Sequence, residues 1–184
     1  MNKSLFKTLE LSGILLCMAA VSALREIYTL TRGNIVGIIF GSVNNSQWEQ
    51  LKPVILSYIL YGFGELFCAK PYFRRFVSAK ALGLYGCVVF YLIMSGIIPA
   101  EYNAPVTLAS LALGFMISLF LTLGEKDIST LFSVSCFMLL LIFIMYFSFS
   151  AFPLKHNIFL DKESGMYGII PDYIDIGASV LVQK

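Results

Sequence analysis

Glu65 is the residue that most invites a chemical reading. It stands inside an apolar run, with Tyr61 one helical turn before it and Tyr58 nearly two turns before. An ionisable side chain within a membrane-crossing segment is costly unless it faces a partner, water or the protein interior, so such groups mark functional sites. Two roles are open for Glu65: a group deep in a bundle, or an interfacial carboxylate that snorkels or pairs with Lys70 or Arg74. Glu10 poses the same question, and Lys7, three residues before it, is the neutralising partner expected there.

A second patch, Asn44 to Pro53, reads NNSQWEQLKP and opens an apolar helix. Exposed N–H groups at a helix start, with Lys52 close by, form a ready anion site for a phosphate or carboxylate. The structural alternative is equally concrete. Ser46 and Glu49 match the S-x-x-E capping box, Trp48 suits a headgroup anchor, and Glu49 pairs with Lys52 at i, i+3. The candidate ligand-binding residues are therefore Arg32, Asn45, Ser46, Trp48, Glu49 and Lys52 at one entrance, with Tyr61 and Glu65 deeper.

Catalytic and metal chemistry find little footing. The single histidine, His156, lies in the tail, and H-E-x-x-H, G-x-S-x-G, P-loop and dinucleotide patterns are all absent. Asp127, Asp161, Asp172 and Asp175 fall outside the apolar runs, against a membrane aspartyl mechanism. The four cysteines, Cys17, Cys68, Cys87 and Cys136, sit singly in apolar segments and read as free thiols packed as small hydrophobes. No cofactor and no metal is expected, and an enzyme is disfavoured.

The elements that must position these residues follow from composition. In 184 residues, 58% are apolar and 13% charged, with a mean hydropathy of +0.82. Soluble domains run at roughly 45–50% apolar and about 25% charged, so this chain belongs in a bilayer. A net charge of +2, with no basic and aromatic face, excludes nucleic acid as a partner. The apolar runs are continuous, not alternating, which selects helices over a β-barrel. An all-α bundle of about five transmembrane helices is expected, spanning about 5–31, 46–68, 72–98, 104–124 and 128–150, with a tail at 151–184. Residues 1–184 form one transmembrane domain, without repeats or linkers.

Local signals place the boundaries. Gly33 suits a left-handed helix end, Lys70-Pro71 closes the second span, Pro99 stops the third, and Asn103-Ala104-Pro105 opens the fourth. Glycines 62, 64, 83 and 86 permit close helix approach. Residues 34–43 are apolar but too short to cross, hence re-entrant, interfacial or packed loop. In the tail, residues 157–160 and 166–170 read as two short strands around a turn, a small hairpin or cap. The first helix is expected to be retained, because Glu10 interrupts a signal-peptide pattern; a lipoprotein box fails because Leu16 precedes Cys17.

Basic residues gather before the first helix (Lys3, Lys7), in the second turn (Lys70, Arg74, Arg75, Lys80) and at Lys126, while residues 97–103 carry none. Positive-inside retention then predicts a multi-pass cell-membrane protein with a cytoplasmic N-terminus and an extracytoplasmic C-terminus. Arg25 and Arg32 argue mildly the other way.

The motifs SVNNSQWEQLK (Ser42 to Lys52) and FLDKESGMYGI (Phe159 to Ile169) resemble a family of small bacterial integral membrane proteins catalogued as a domain of unknown function. The resemblance extends over most of the chain and implies a five-helix membrane fold in bacteria, but no activity. That family's pattern places histidine after the Trp-Glu pair, where this chain has Gln50. It also implies that the polar helix start and the Gly-Met-Tyr-Gly tail form two sides of one external feature.

The functional expectation is a noncatalytic membrane protein, embedded in the lipid bilayer, that binds or moves a small-molecule or lipidic ligand. A structural or accessory subunit packed on a membrane-protein partner is the alternative. An enzyme acting on lipid-linked phosphates stands behind both.

Overall fold

The computed structural model describes residues 3–162 and 164–169. Six α-helices follow in order: α1 (Lys3–Leu30), α2 (Ile35–Phe40), α3 (Gln47–Ala69), α4 (Phe73–Ile97), α5 (Asn103–Leu123) and α6 (Phe132–Ala151). Short 3₁₀ turns at Ala100–Tyr102, Ser129–Leu131 and Asn157–Phe159 join or follow them. Five of these segments, all but α2, are long and apolar enough to cross a membrane. The architecture is an all-α bundle, and its five spans match the expected ones to within a few residues.

The helix ends obey local chemistry. Ser46 Oγ accepts from Glu49 N at 3.3 Å and caps α3. The reciprocal half of the capping box does not form, because Ser46 N donates to Asn44 Oδ1 instead and the Glu49 carboxylate is engaged elsewhere. Asn34 caps α2 by accepting from Val36 N and Gly37 N. Arg32 (φ 51°) and Gly33 (φ 70°) turn the chain after α1. The C-terminus of α5 is capped by Arg75, which donates to the carbonyls of Leu121, Gly124 and Lys126; helix ends leave such carbonyls orphaned. Asp127, exposed in the following turn, accepts from Ser129 N at 2.9 Å. The Ser129 backbone N–H, then its hydroxyl, hold the Asp127 carboxyl below the usual carboxylate range.

α4 and α5 share the most extensive helix interface. A Cβ at Gly83 would stand 2.5 Å from the Gly114 carbonyl, and one at Gly114 would stand 2.9 Å from that of Gly83. Paired glycines thus bring the two backbones together, as small residues do between membrane helices. α1 packs on α3 and α5, and α6 leans mainly on α4. The main apolar core gathers Leu51, Tyr58, Leu84, Tyr91, Leu111 and Phe115 among others. A separate small cluster, Phe6, Ala69 and Phe76, closes the end of the bundle that carries Lys3, Lys7, Lys70, Arg74, Arg75 and Lys126. We call that the basic end.

Within residues 34–43 the short helix α2 (Ile35–Phe40) packs against α1 and α3. In the tail the two expected strands do not form among the described residues. A 3₁₀ turn and one antiparallel bridge, Leu160 to Tyr167, make a cap instead. Asp161 N donates to Met166 O at 3.0 Å and Gly165 N to Asp161 O at 2.9 Å, so the turn closes too tightly for a longer ladder. Residue 170, the last of the expected second strand, lies outside the described residues.

Candidate functional site

Two polar clusters are buried at opposite ends of α3. At the far end from the basic residues, Glu49 and Lys52 form an ion pair of 2.9 Å. Glu49 Oε2 also accepts from Val43 N at 3.1 Å, and Oε1 from Ser150 Oγ at 2.7 Å. Lys52 Nζ donates to Ile38 O at 3.0 Å, and Tyr146 Oη to Ile39 O at 2.8 Å. The last carbonyls of α2 are thereby satisfied by side chains of α3 and α6. Pro53 has no N–H to offer the Glu49 carbonyl four residues before it, and Ser42 Oγ donates there at 2.8 Å in its place. Each charge here has its partners, and the knot ties α2, α3 and α6 together.

The tail completes this end. Asn44 Nδ2 donates to Gly168 O at 2.7 Å. Trp48 is 2% exposed and packs edge-on against Phe149, with ring centroids 5.2 Å apart, and lies 5.7 Å from Phe159. Helix start and tail therefore meet, but Trp48 is no headgroup anchor: aromatic neighbours enclose it. Arg32 is exposed and joins no part of the knot. Asn45, also exposed, accepts from Gln50 Nε2 at 3.2 Å beside a groove of about 40 Å³ that Tyr91 and Asn103 also line.

The second cluster lies toward the basic end. Lys80 Nζ, seven residues into α4 and so roughly 10 Å from its start, donates to Glu10 Oε2 at 2.9 Å. It also contacts Glu65 Oε2. Ser118 Oγ donates to Glu10 Oε1 at 2.8 Å. Four helices converge here: α1 with Glu10, α3 with Glu65, α4 with Lys80 and α5 with Ser118. Glu10 and Glu65 are 1% exposed and Lys80 7%. The rings of Phe115, Tyr58 and Phe76 surround the ammonium at 4.5, 5.1 and 5.7 Å, close enough for cation–π attraction. Tyr61, half-buried beside the cluster, donates to Leu9 O at 2.7 Å.

These contacts decide between the two roles open for Glu65 and correct two expectations. Glu65 turns inward to Lys80 and does not pair with Lys70 or Arg74. Glu10 pairs with Lys80, seventy residues away, and not with Lys7. Lys80 itself belongs to the interior, although its sequence position groups it with the basic turn. Nor do the candidate residues form one pathway: Glu49 and Glu65 are sixteen residues apart on α3, roughly 24 Å along the axis.

Beside the second cluster, an apolar crevice of about 150 Å³ opens sideways between α3 and α4. Tyr58, Gly62, Phe63, Phe73, Phe76 and the stem of Lys80 line it. Gly62 forms the gap, since a Cβ there would meet only Lys80 Cδ, at 3.8 Å. Phe63 and Phe73 remain more than half exposed at its mouth. Neither Phe63 nor Phe73 had a distinguishing signal in the sequence; a glycine one helical turn before a buried glutamate was the available hint. The crevice shares no lining residue with the groove at Asn45.

Comparison with known proteins returns nothing at this point. No family model matches the chain, and no curated protein or solved structure matches it significantly.

Proposed function

We propose that the protein is a noncatalytic membrane protein that holds the hydrocarbon chain of an anionic lipidic ligand in the crevice between α3 and α4. The carrying observation is the crevice itself: about 150 Å³, walled almost wholly by apolar atoms and open sideways. A cavity of roughly this size with an apolar lining stays dry and accepts apolar guests. On helices of membrane-crossing length, a sideways opening faces hydrocarbon, so a lipid tail is the occupant at hand.

Charge at the mouth supports an anionic headgroup. Arg74 is exposed, with its guanidinium 5.7 Å from the Phe132 ring, and Phe132 in turn lies 5.8 Å from Phe73 of the lining. Lys70 is exposed at the same end. Arg75 is engaged on the carbonyls of α5 and is not free to bind a headgroup. The accessory-subunit reading has α6 behind it, which leaves most of its apolar length unburied, but lipid covers such a face equally well.

The test is native mass spectrometry of the full chain in mild detergent, with defined anionic and zwitterionic lipids. Wild type is expected to retain the anionic lipid preferentially. Gly62→Leu, which fills the crevice, should weaken retention about tenfold, the equivalent of roughly two methylene contacts. Arg74→Gln should reduce the preference for negative headgroups without abolishing chain binding. Equal retention by wild type and Gly62→Leu would remove the crevice from consideration.

A further inference from the structure

The Glu10, Lys80 and Glu65 cluster has two carboxyl groups for one ammonium. If all three were ionised, the cluster would hold one negative charge without a counter-charge, almost fully shielded from solvent. Buried charge persists only when paired. The groups facing it from every packed helix do not supply the missing positive charge. α1 adds Cys17, α3 adds Tyr58 and Tyr61, α4 adds Cys87, and α5 contributes the Ser118 hydroxyl and the Phe115 ring. None of these is a cation at neutral pH.

The hydrogen bonding is unequal in the same sense. Glu10 is well supplied, accepting from Lys80 at one oxygen and Ser118 at the other. Glu65 takes only the Lys80 ammonium, at Oε2, and its Oε1 accepts from no described residue. A carboxyl with one oxygen undonated, beside an excess of negative charge, has a place for a hydrogen of its own.

We propose that this cluster is an exchangeable proton-binding site, in which Glu10 and Glu65 share a single proton opposite Lys80. With it the cluster is neutral. Losing it to water leaves an unbalanced carboxylate between α1, α3, α4 and α5, so proton occupancy sets how tightly those helices hold together. Toward the basic end the cluster is covered by the layer of Phe6, Ala69 and Phe76, with Leu9, Leu66, Leu119 and Leu123 packed against it, and that is the shorter way to water. Glu65 is four residues from the end of α3, roughly 6 Å. The proposal rests on the cluster alone and is independent of the lipid reading.

Infrared titration of the full chain in detergent, with carbon-13-labelled glutamate, counts protonated carboxyl groups directly. Wild type is expected to show one carboxylic acid per chain through neutral pH. Glu65→Gln and Glu10→Gln should each show none, because either leaves one carboxylate against one ammonium. Thermal unfolding gives an independent readout. If the folded chain holds a proton that the unfolded chain does not, the folding equilibrium constant of wild type falls about tenfold per pH unit as pH rises across neutrality. Glu65→Gln should lack that component, and its neutral pair should leave it folded. Should Glu65→Gln fail to fold, Glu10→Gln and the wild-type titration answer the same question. Absence of an acid signal in wild type at neutral pH overturns the proposal. So does a signal that persists in both variants, or a stability slope shared by wild type and Glu65→Gln.

Discussion

Lys52 and Lys80 are both buried lysines held by glutamate, yet their surroundings assign them different work. Lys52 sits in a closed network whose acceptors, Glu49 and the Ile38 carbonyl, take two of its three donors. Removing one member of such a pair strands the other. Lys52→Met should therefore cost about 3–5 kcal/mol, read as a lowered unfolding temperature in detergent. The double change Lys52→Met with Glu49→Gln should recover part of that loss, since the stranded carboxylate goes with it. Recovery of nothing would mean that the pair is not what holds α2 to α3. At this scale the sequence was half legible. Glu65 announced itself as an ionisable group in an apolar run, and the Glu49 to Lys52 pair followed from i, i+3 spacing. Lys80 did not, because six residues after Arg74 it looks like one more charge of the basic turn. Only the helical phase of α4, fixed by its packing on α5, turns it inward.

At the scale of elements, the five spans were readable because hydrocarbon demands long uncharged helices and leaves few alternatives. The crossing of α4 and α5 was readable only as a permission: four glycines allowed close approach, and the structure uses Gly83 for the α4–α5 contact while Gly64 has nothing near it. Gly83→Leu should push the two helices apart and destabilise the chain by roughly 1–3 kcal/mol, the usual range for overpacking. Gly64→Leu, on open surface, should unfold at the wild-type temperature, and the pair of unfolding curves makes the comparison. The tail was the least legible element. Short apolar stretches either side of a turn have the composition of strands, but Phe159 is drawn instead into the aromatic group with Trp48 and Phe149, whose centroids lie 5.0 to 5.7 Å from it. Tertiary packing overrode local preference there.

For the whole molecule, the distribution of Lys and Arg is the basis for an expected orientation. The basic end gathers Lys70, Arg74, Arg75 and Lys126, while the opposite end holds the loop from Ile97 to Asn103 that has no Lys or Arg. Retention of basic loops in the cytoplasm leads us to expect that Glu101→Cys reacts with an impermeant thiol reagent in intact cells, in a chain with Cys68 and Cys136 replaced by alanine. Lys126→Cys should react only after permeabilisation. The reverse pattern would invert the topology. The fastening of α6 has a temporal consequence of its own. Beyond its packing on α4, this span is latched by Ser150 on Glu49 and Tyr146 on Ile39, and the residues behind it return to Asn44 through Gly168. In a polypeptide made from its N-terminus, the strap that closes over the start of α3 is synthesised about a hundred residues after it. The start of α3 must therefore wait, inserted but unlatched, until residues 146–168 have been made and deliver its clasp.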